Sequence, residues 1–113
     1  MPYIATKTNV GLSGRKKQAL KERFGQAIEL IPGKSEDWLM LSIEDGLTMF
    51  FKGDDEPCAI CQVQIFGTAT EDDYAALTEK LTDILYEELE IPMERVYVTY
   101  KEIPCWGWNA GNL

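Results

Sequence analysis

Pro2 stands directly behind the initiator methionine and ahead of a short apolar run, Tyr3-Ile4-Ala5. A proline in this place favours removal of Met1, and the product would begin with a secondary amine. Held at the edge of an apolar pocket, such an amine can act as a general base. A chain-terminal amine has a reference pKa of about 7.7–8.0, and burial or a nearby cation lowers it toward a working pH near neutral. With Met1 retained, the Pro2 nitrogen is an amide and has no basicity. From these residues alone, Pro2 could equally do no more than stiffen the start of the chain. A second arrangement, Cys58-Ala59-Ile60-Cys61, has the spacing of a dithiol redox motif. Reactive pairs of that kind sit at helix N-termini, where the dipole favours thiolate. Here the pair falls in a run of strand-forming residues, where positions three apart face opposite ways and bridge poorly. Two buried, small, apolar side chains are the expectation.

The rest of the composition narrows the choices. There is no histidine, which removes Ser-His and Cys-His nucleophile pairs, the common zinc sites and imidazole acid–base chemistry. No metal or organic cofactor has a visible site. Eleven basic against nineteen acidic side chains leave a net charge of −8 with no basic stripe, which excludes nucleic acid as a partner. Three cysteines are too few for a secreted disulfide framework, and their number is odd. No leading apolar segment resembles a signal peptide and no run is long enough to cross a membrane, so a soluble, cytoplasmic protein is expected. At 113 residues the chain is one domain, 1–113, and 45% hydrophobic residues suffice for a core. A domain this small buries a modest share of its surface, so oligomerisation would help it.

The elements that must position these residues alternate. Tyr3 to Thr8 reads as a strand, and Asn9-Val10-Gly11 breaks it. Ser13 offers an N-cap for a helix to about Ile31, with Leu20, Phe24, Ala27, Ile28 and Ile31 on one buried face. Arg15, Lys16, Lys17, Lys21 and Arg23 form mainly a solvated face, and Pro32-Gly33 stops the helix. Trp38 to Ile43 reads as a strand buried on both faces, because Trp38-Leu39-Met40-Leu41 is continuously apolar. Thr48 to Phe51 is a short extended piece, and Cys58 to Phe66 a further strand ended by Gly67. Thr70 caps a second helix through Leu89, with Tyr74, Leu77, Leu81, Ile84, Leu85 and Leu89 as its stripe. Val96 to Lys101 is the last long strand, and any strand in the tail 103–113 is short. One unit therefore occurs twice: strand, helix, an Ile-Pro stop at Ile31-Pro32 or Ile91-Pro92, a short loop, strand. Two such units make an α+β fold, a mixed four-stranded sheet with both helices on one face. The opposite face lacks a third layer, which implies an oligomer in which subunit sheets pack together.

Met1-Pro2, Thr8-Asn9-Val10, Gly33-Lys34, Glu56-Pro57-Cys58-Ala59-Ile60-Cys61, Gly67, Arg95-Val96-Tyr97 and Gly107-Trp108-Asn109 together resemble the macrophage migration inhibitory factor and D-dopachrome tautomerase family. They follow the family's order from one end of the chain to the other. The likeness is closer to the migration inhibitory factor branch than to the shorter bacterial tautomerases. It implies a homotrimer whose sheets form a central barrel enclosed by six helices, with a pocket at each subunit interface. It further implies keto–enol interconversion of an α-keto acid or enol such as phenylpyruvate. By this resemblance Pro2 is the catalytic base and Lys34 holds the substrate carboxylate. Tyr97 reaches in from the neighbouring subunit, and the backbone N–H of Phe66 contacts the substrate. Trp106 and Trp108 wall the pocket.

Each residue also has a simpler reading. Lys34 follows a helix stop and can complement the helix C-terminal carbonyls. Tyr97 can be core or interface, and the tryptophans can cover the sheet end. Phe66 stands where the family carries a smaller aliphatic residue, and Thr99 where many animal members carry asparagine. A pocket lined by Phe66, Tyr97 and Trp106 would be narrower. Two other functional readings stand beside the tautomerase. One is a non-catalytic, cytokine-like protein with a protein receptor, secreted without a signal peptide. The other is a thiol oxidoreductase working through Cys58 and Cys61.

Overall fold

Residues 1–113 are described by a computed structural model. The first strand, β1, spans Pro2–Thr8. Its even-numbered residues Pro2, Ile4, Thr6 and Thr8 are buried, and its odd-numbered ones face outward, the alternation of a sheet covered on one side. Helix α1, Gly14–Ala27, starts at Ser13, whose hydroxyl accepts from the Lys16 backbone N–H. Its final turn tightens into a 3-10 segment, Ile28–Leu30, ahead of Pro32. A second 3-10 turn, Glu36–Trp38, leads into β2, Met40–Glu44. The second unit repeats this plan with β3, Ala59–Phe66, and α2, Glu71–Leu89. There Thr70 and Asp73 form a reciprocal capping box. A 3-10 turn, Met93–Arg95, then precedes β4, Val96–Ile103. The tail forms a small antiparallel ribbon of β5, Gly107–Trp108, and β6, Gly111–Asn112.

The four long strands lie in the order β2-β1-β3-β4. Each β-α-β unit pairs its own two strands in parallel, and the units meet where β1 runs antiparallel to β3. Both helices pack on one face of this mixed sheet. The core there joins Leu20, Phe24 and Ile28 of the first helical segment to Leu77, Leu81 and Ile84 of the second, over Ile4, Cys61, Val63 and Ile65.

Two expectations from the sequence change here. The strand expected to be buried on both faces is an edge strand. Leu39, Leu41 and Ile43 pack on the core, whereas Met40 is 69% exposed and Trp38, in the preceding turn, 50% exposed. The continuous apolar run therefore serves two separate surfaces. The extended piece at 48–51 makes only an isolated bridge between Phe51 and Asp54. The sheet face away from the helices carries Tyr3, Ala5, Lys7, Ser42, Glu44, Gln62 and Gln64, and is largely polar. By register Met40, Ile60 and Tyr97 share this face toward its rims, and Met40 and Tyr97 are exposed there.

Several residues that carry the family resemblance have structural work. The Asn9 side-chain amide donates to the Asp55 and Glu56 carbonyls, and its carbonyl oxygen accepts from the Cys58 N–H. The Thr8 hydroxyl donates to the Cys58 carbonyl. Arg95, almost wholly buried, donates to the Pro57 and Glu56 carbonyls and pairs with Asp54 at 2.8 Å. Together these bonds fix the loop 54–58 against the ends of β1 and β4.

Candidate active site

Pro2 lies buried at the start of β1, opposite Ile65 near the end of β3. With Met1, Tyr3, Trp38, Met40, Gln64, Trp106, Gly107 and Trp108 it lines a cleft of about 340 Å3. Three separated segments supply the walls. The 3-10 turn before β2 brings Trp38 and the first residue of β2 brings Met40. The tail ribbon brings Trp108 next to Trp38, ring edge to ring face with centroids 5.1 Å apart. The lining is predominantly apolar with few polar groups, as small-molecule sites are.

Beside the cleft, at Met1, lies a polar corner built on one residue. The Phe66 backbone N–H donates to the Met1 carbonyl at 2.9 Å. The Phe66 carbonyl in turn accepts from Lys34 Nζ at 2.8 Å. Lys34 is carried there by the turn after the first helical segment, where Gly33 adopts φ +81, a left-handed conformation that glycine tolerates without strain. An amine at this corner is destabilised in its charged form. The pKa of the Met1 terminus is lowered chiefly by burial, then by the Lys34 charge and by contact with the Lys34 side chain.

The structure thus brings Pro2, Lys34, the Phe66 N–H, Trp106 and Trp108 to one end of the sheet. It does not bring Tyr97 there. Tyr97 pairs with Ile60 and Pro2 with Ile65, five residues away along β3, which is roughly 17 Å at 3.3 Å per residue. Tyr97 is 59% exposed and stacks edge-on against Phe51. Within one chain it cannot touch the Pro2 cleft. Trp38, Met40, Tyr3 and Gln64 were not foreseen as cleft residues. For Trp38 and Met40 the signal lay in the parity of the apolar run, whose even-numbered members cannot share a face with Leu39 and Leu41.

Cys58 and Cys61 are free and buried. Burial pushes the Cys61 thiol up to about 11, only partly opposed by its contact with the Thr6 hydroxyl at 3.5 Å. A thiol so placed is almost entirely protonated near neutral pH, unlike the low-pKa thiols of redox motifs. No three His, Cys, Asp or Glu residues are grouped to hold a metal ion. No helix is long and apolar enough to cross a membrane.

The family model described as Macrophage migration inhibitory factor (MIF) matches residues 1–112. The chain belongs to the macrophage migration inhibitory factor family. It is 29% identical over 103 residues to the macrophage migration inhibitory factor homolog of Brugia malayi, covering 91% of this chain and 89% of that protein. It is 27% identical over 109 residues to the D-dopachrome decarboxylase of Mus musculus, covering 94% of this chain and 90% of that protein. The crystal structure of Leishmania major MIF2 superposes with a TM-score of 0.93 at 29% identity, over 100% of this chain and 97% of that one. The duplicated β-α-β plan and the mixed four-stranded sheet are therefore those of the migration inhibitory factor fold.

Proposed function

We propose that the protein is a keto–enol tautomerase of the phenylpyruvate kind, acting on an α-keto acid with Pro2 as general base once Met1 has been removed. The observation that carries this reading is the position of Pro2. It is buried and lines an aromatic cleft, beside the strand end that holds the Phe66 N–H and Lys34. A carboxylate bound by Lys34 and the Phe66 N–H would leave the rest of a 2-oxo acid over the proline, with Trp106 and Trp108 against its side chain. The Pro2 nitrogen takes a proton from C3. The C–H electron pair becomes the C2=C3 bond, and the carbonyl pair moves onto oxygen, which takes up a proton from solvent. Ketonisation runs the same steps in reverse. The surroundings that lower the pKa of the Met1 amine act on an amine one residue further in. On this reading the same burial and the same Lys34 charge would favour the neutral form of the Pro2 amine once it is the terminus.

A homotrimer completes the site. Tyr97 lies at the opposite end of the sheet from its own Pro2, so it reaches a cleft only on a neighbouring copy. Exposed Phe50, Tyr97 and Met40 give such a contact apolar area. The experiment is the interconversion of keto and enol phenylpyruvate by protein whose mass shows that Met1 is gone, with Pro2→Gly alongside. Activity confined to the proline protein supports the assignment. Absence of activity in the Met1-free protein, or equal activity in the variant, overturns it.

A further inference from the structure

In β1 the ladder with β3 does not stop at Pro2. The Phe66 N–H reaches one residue further, to the Met1 carbonyl. Phe66 is the last residue of β3, and Gly67, with φ +92, turns the chain away beyond it. Once the Met1–Pro2 bond is cut, the carbonyl leaves with the methionine. The Phe66 N–H then has no acceptor within the chain, and a backbone donor in such a place must find water or a ligand. Lys34 remains fixed at the Phe66 carbonyl, 2.8 Å away, so the freed donor lies beside a cation. Met1 itself lines the aromatic cleft.

We propose that the residue in front of Pro2 is a built-in occupant of the carboxylate corner, so that its removal opens the binding site as well as creating the base. This inference rests on the reading of the cleft as an α-keto acid site. The Met1 carbonyl takes the position of an acceptor oxygen of the ligand, and the methionine side of the dipeptide fills space the ligand needs. Unprocessed protein then binds more weakly, and is not only unable to catalyse. The lowered pKa of the Met1 amine agrees with this placement, since burial and Lys34 act on it together. Processing becomes an activation step with two separable consequences.

The two can be separated with benzoylformate, an aryl 2-oxo acid that has no C3 proton and cannot tautomerise. Protein made with methionine aminopeptidase inhibited is compared with the same preparation after aminopeptidase treatment, the masses confirming each form. A hydrogen bond to a charged group is lost or gained, so the processed form should bind about tenfold to about a hundredfold more tightly. Hydrogen exchange of the Phe66 amide should speed up on processing and slow again when benzoylformate is added. Affinity that is equal in the two forms, or greater in the unprocessed one, overturns the inference. Should neither form bind benzoylformate, the failure lies with the α-keto acid reading, and the Phe66 amide still decides the masking. Faster exchange after processing upholds it, and unchanged exchange refutes it.

Discussion

Replacing Lys34 by alanine removes the side-chain cation at the polar corner beside the cleft and should leave two signatures. The first is a loss of substrate recognition. Lys34 Nζ is held 2.8 Å from the Phe66 carbonyl and is half-buried, so it is oriented before the substrate arrives. Hydrogen bonds to charged groups contribute about 1.5–3 kcal/mol, and partial exposure favours the low end of that range. A loss of about 1.5–2 kcal/mol corresponds to about a 10- to 30-fold fall in kcat/KM for phenylpyruvate. The second signature is in the pH profile. Lys34 lowers the pKa of an amine at this corner by penalising its protonated form, so deleting the cation raises that pKa. The base is active when neutral, and the acid limb of kcat/KM should therefore move to higher pH. Steady-state rates on Met1-free wild type, Lys34→Ala and Lys34→Arg across the limb measure both. Arginine keeps the charge and should restore the position of the limb more fully than the rate. An unchanged kcat/KM, or a limb displaced to lower pH in Lys34→Ala, would refute the reasoning.

Trp38→Ala removes one of the two rings in edge-to-face contact. It should raise KM for an aryl 2-oxo acid about 2- to 10-fold; an unchanged KM places the substrate elsewhere. Co-assembly of Pro2→Gly chains with Tyr97→Ala chains should restore activity, because mixed trimers contain interfaces where an intact proline meets an intact tyrosine. Mixtures no more active than their parts would argue that Tyr97 does not act across the interface. In native protein only exposed Cys105 should react quickly with a thiol reagent, and all three cysteines after denaturation. Rapid native reaction of Cys61 would contradict its burial and raised pKa. Phe24→Ala empties a fully buried position between the helices and the sheet. It should cost about 3–5 kcal/mol in chemical unfolding, and a loss below about 1 kcal/mol would show that the core collapses around the gap.

Local chemistry made much of this protein legible from its residues. The caps at Ser13 and Thr70, the stripes of both helices and the Ile-Pro stops act within a few residues of chain. The structure places α1, α2 and the four strands within a few positions of where those signals put them. The alternation along β1 and β3 likewise depends only on the pleat, so their core-facing sides could be read directly. The duplicated unit and the family motifs also pointed correctly to the fold.

The cleft could not be read in the same way. Its proline comes from β1, the cation beside it from the turn after α1, and its tryptophans from the edge of β2 and the tail ribbon. Their meeting is set by strand order, a non-local property that no local signal encodes. For that reason Trp38 and Met40 looked like core in a continuous apolar run, and became cleft wall only when β2 proved to be an edge strand. Tyr97 shows the converse. The sequence could nominate it, but register alone puts it far from its own proline. The sequence by itself determined the elements and their caps, and nominated Pro2 as the proposed base. The tertiary structure decided which side chains surround Pro2 and showed the Met1 carbonyl bound to the Phe66 N–H, because both depend on pairings between residues far apart in the chain.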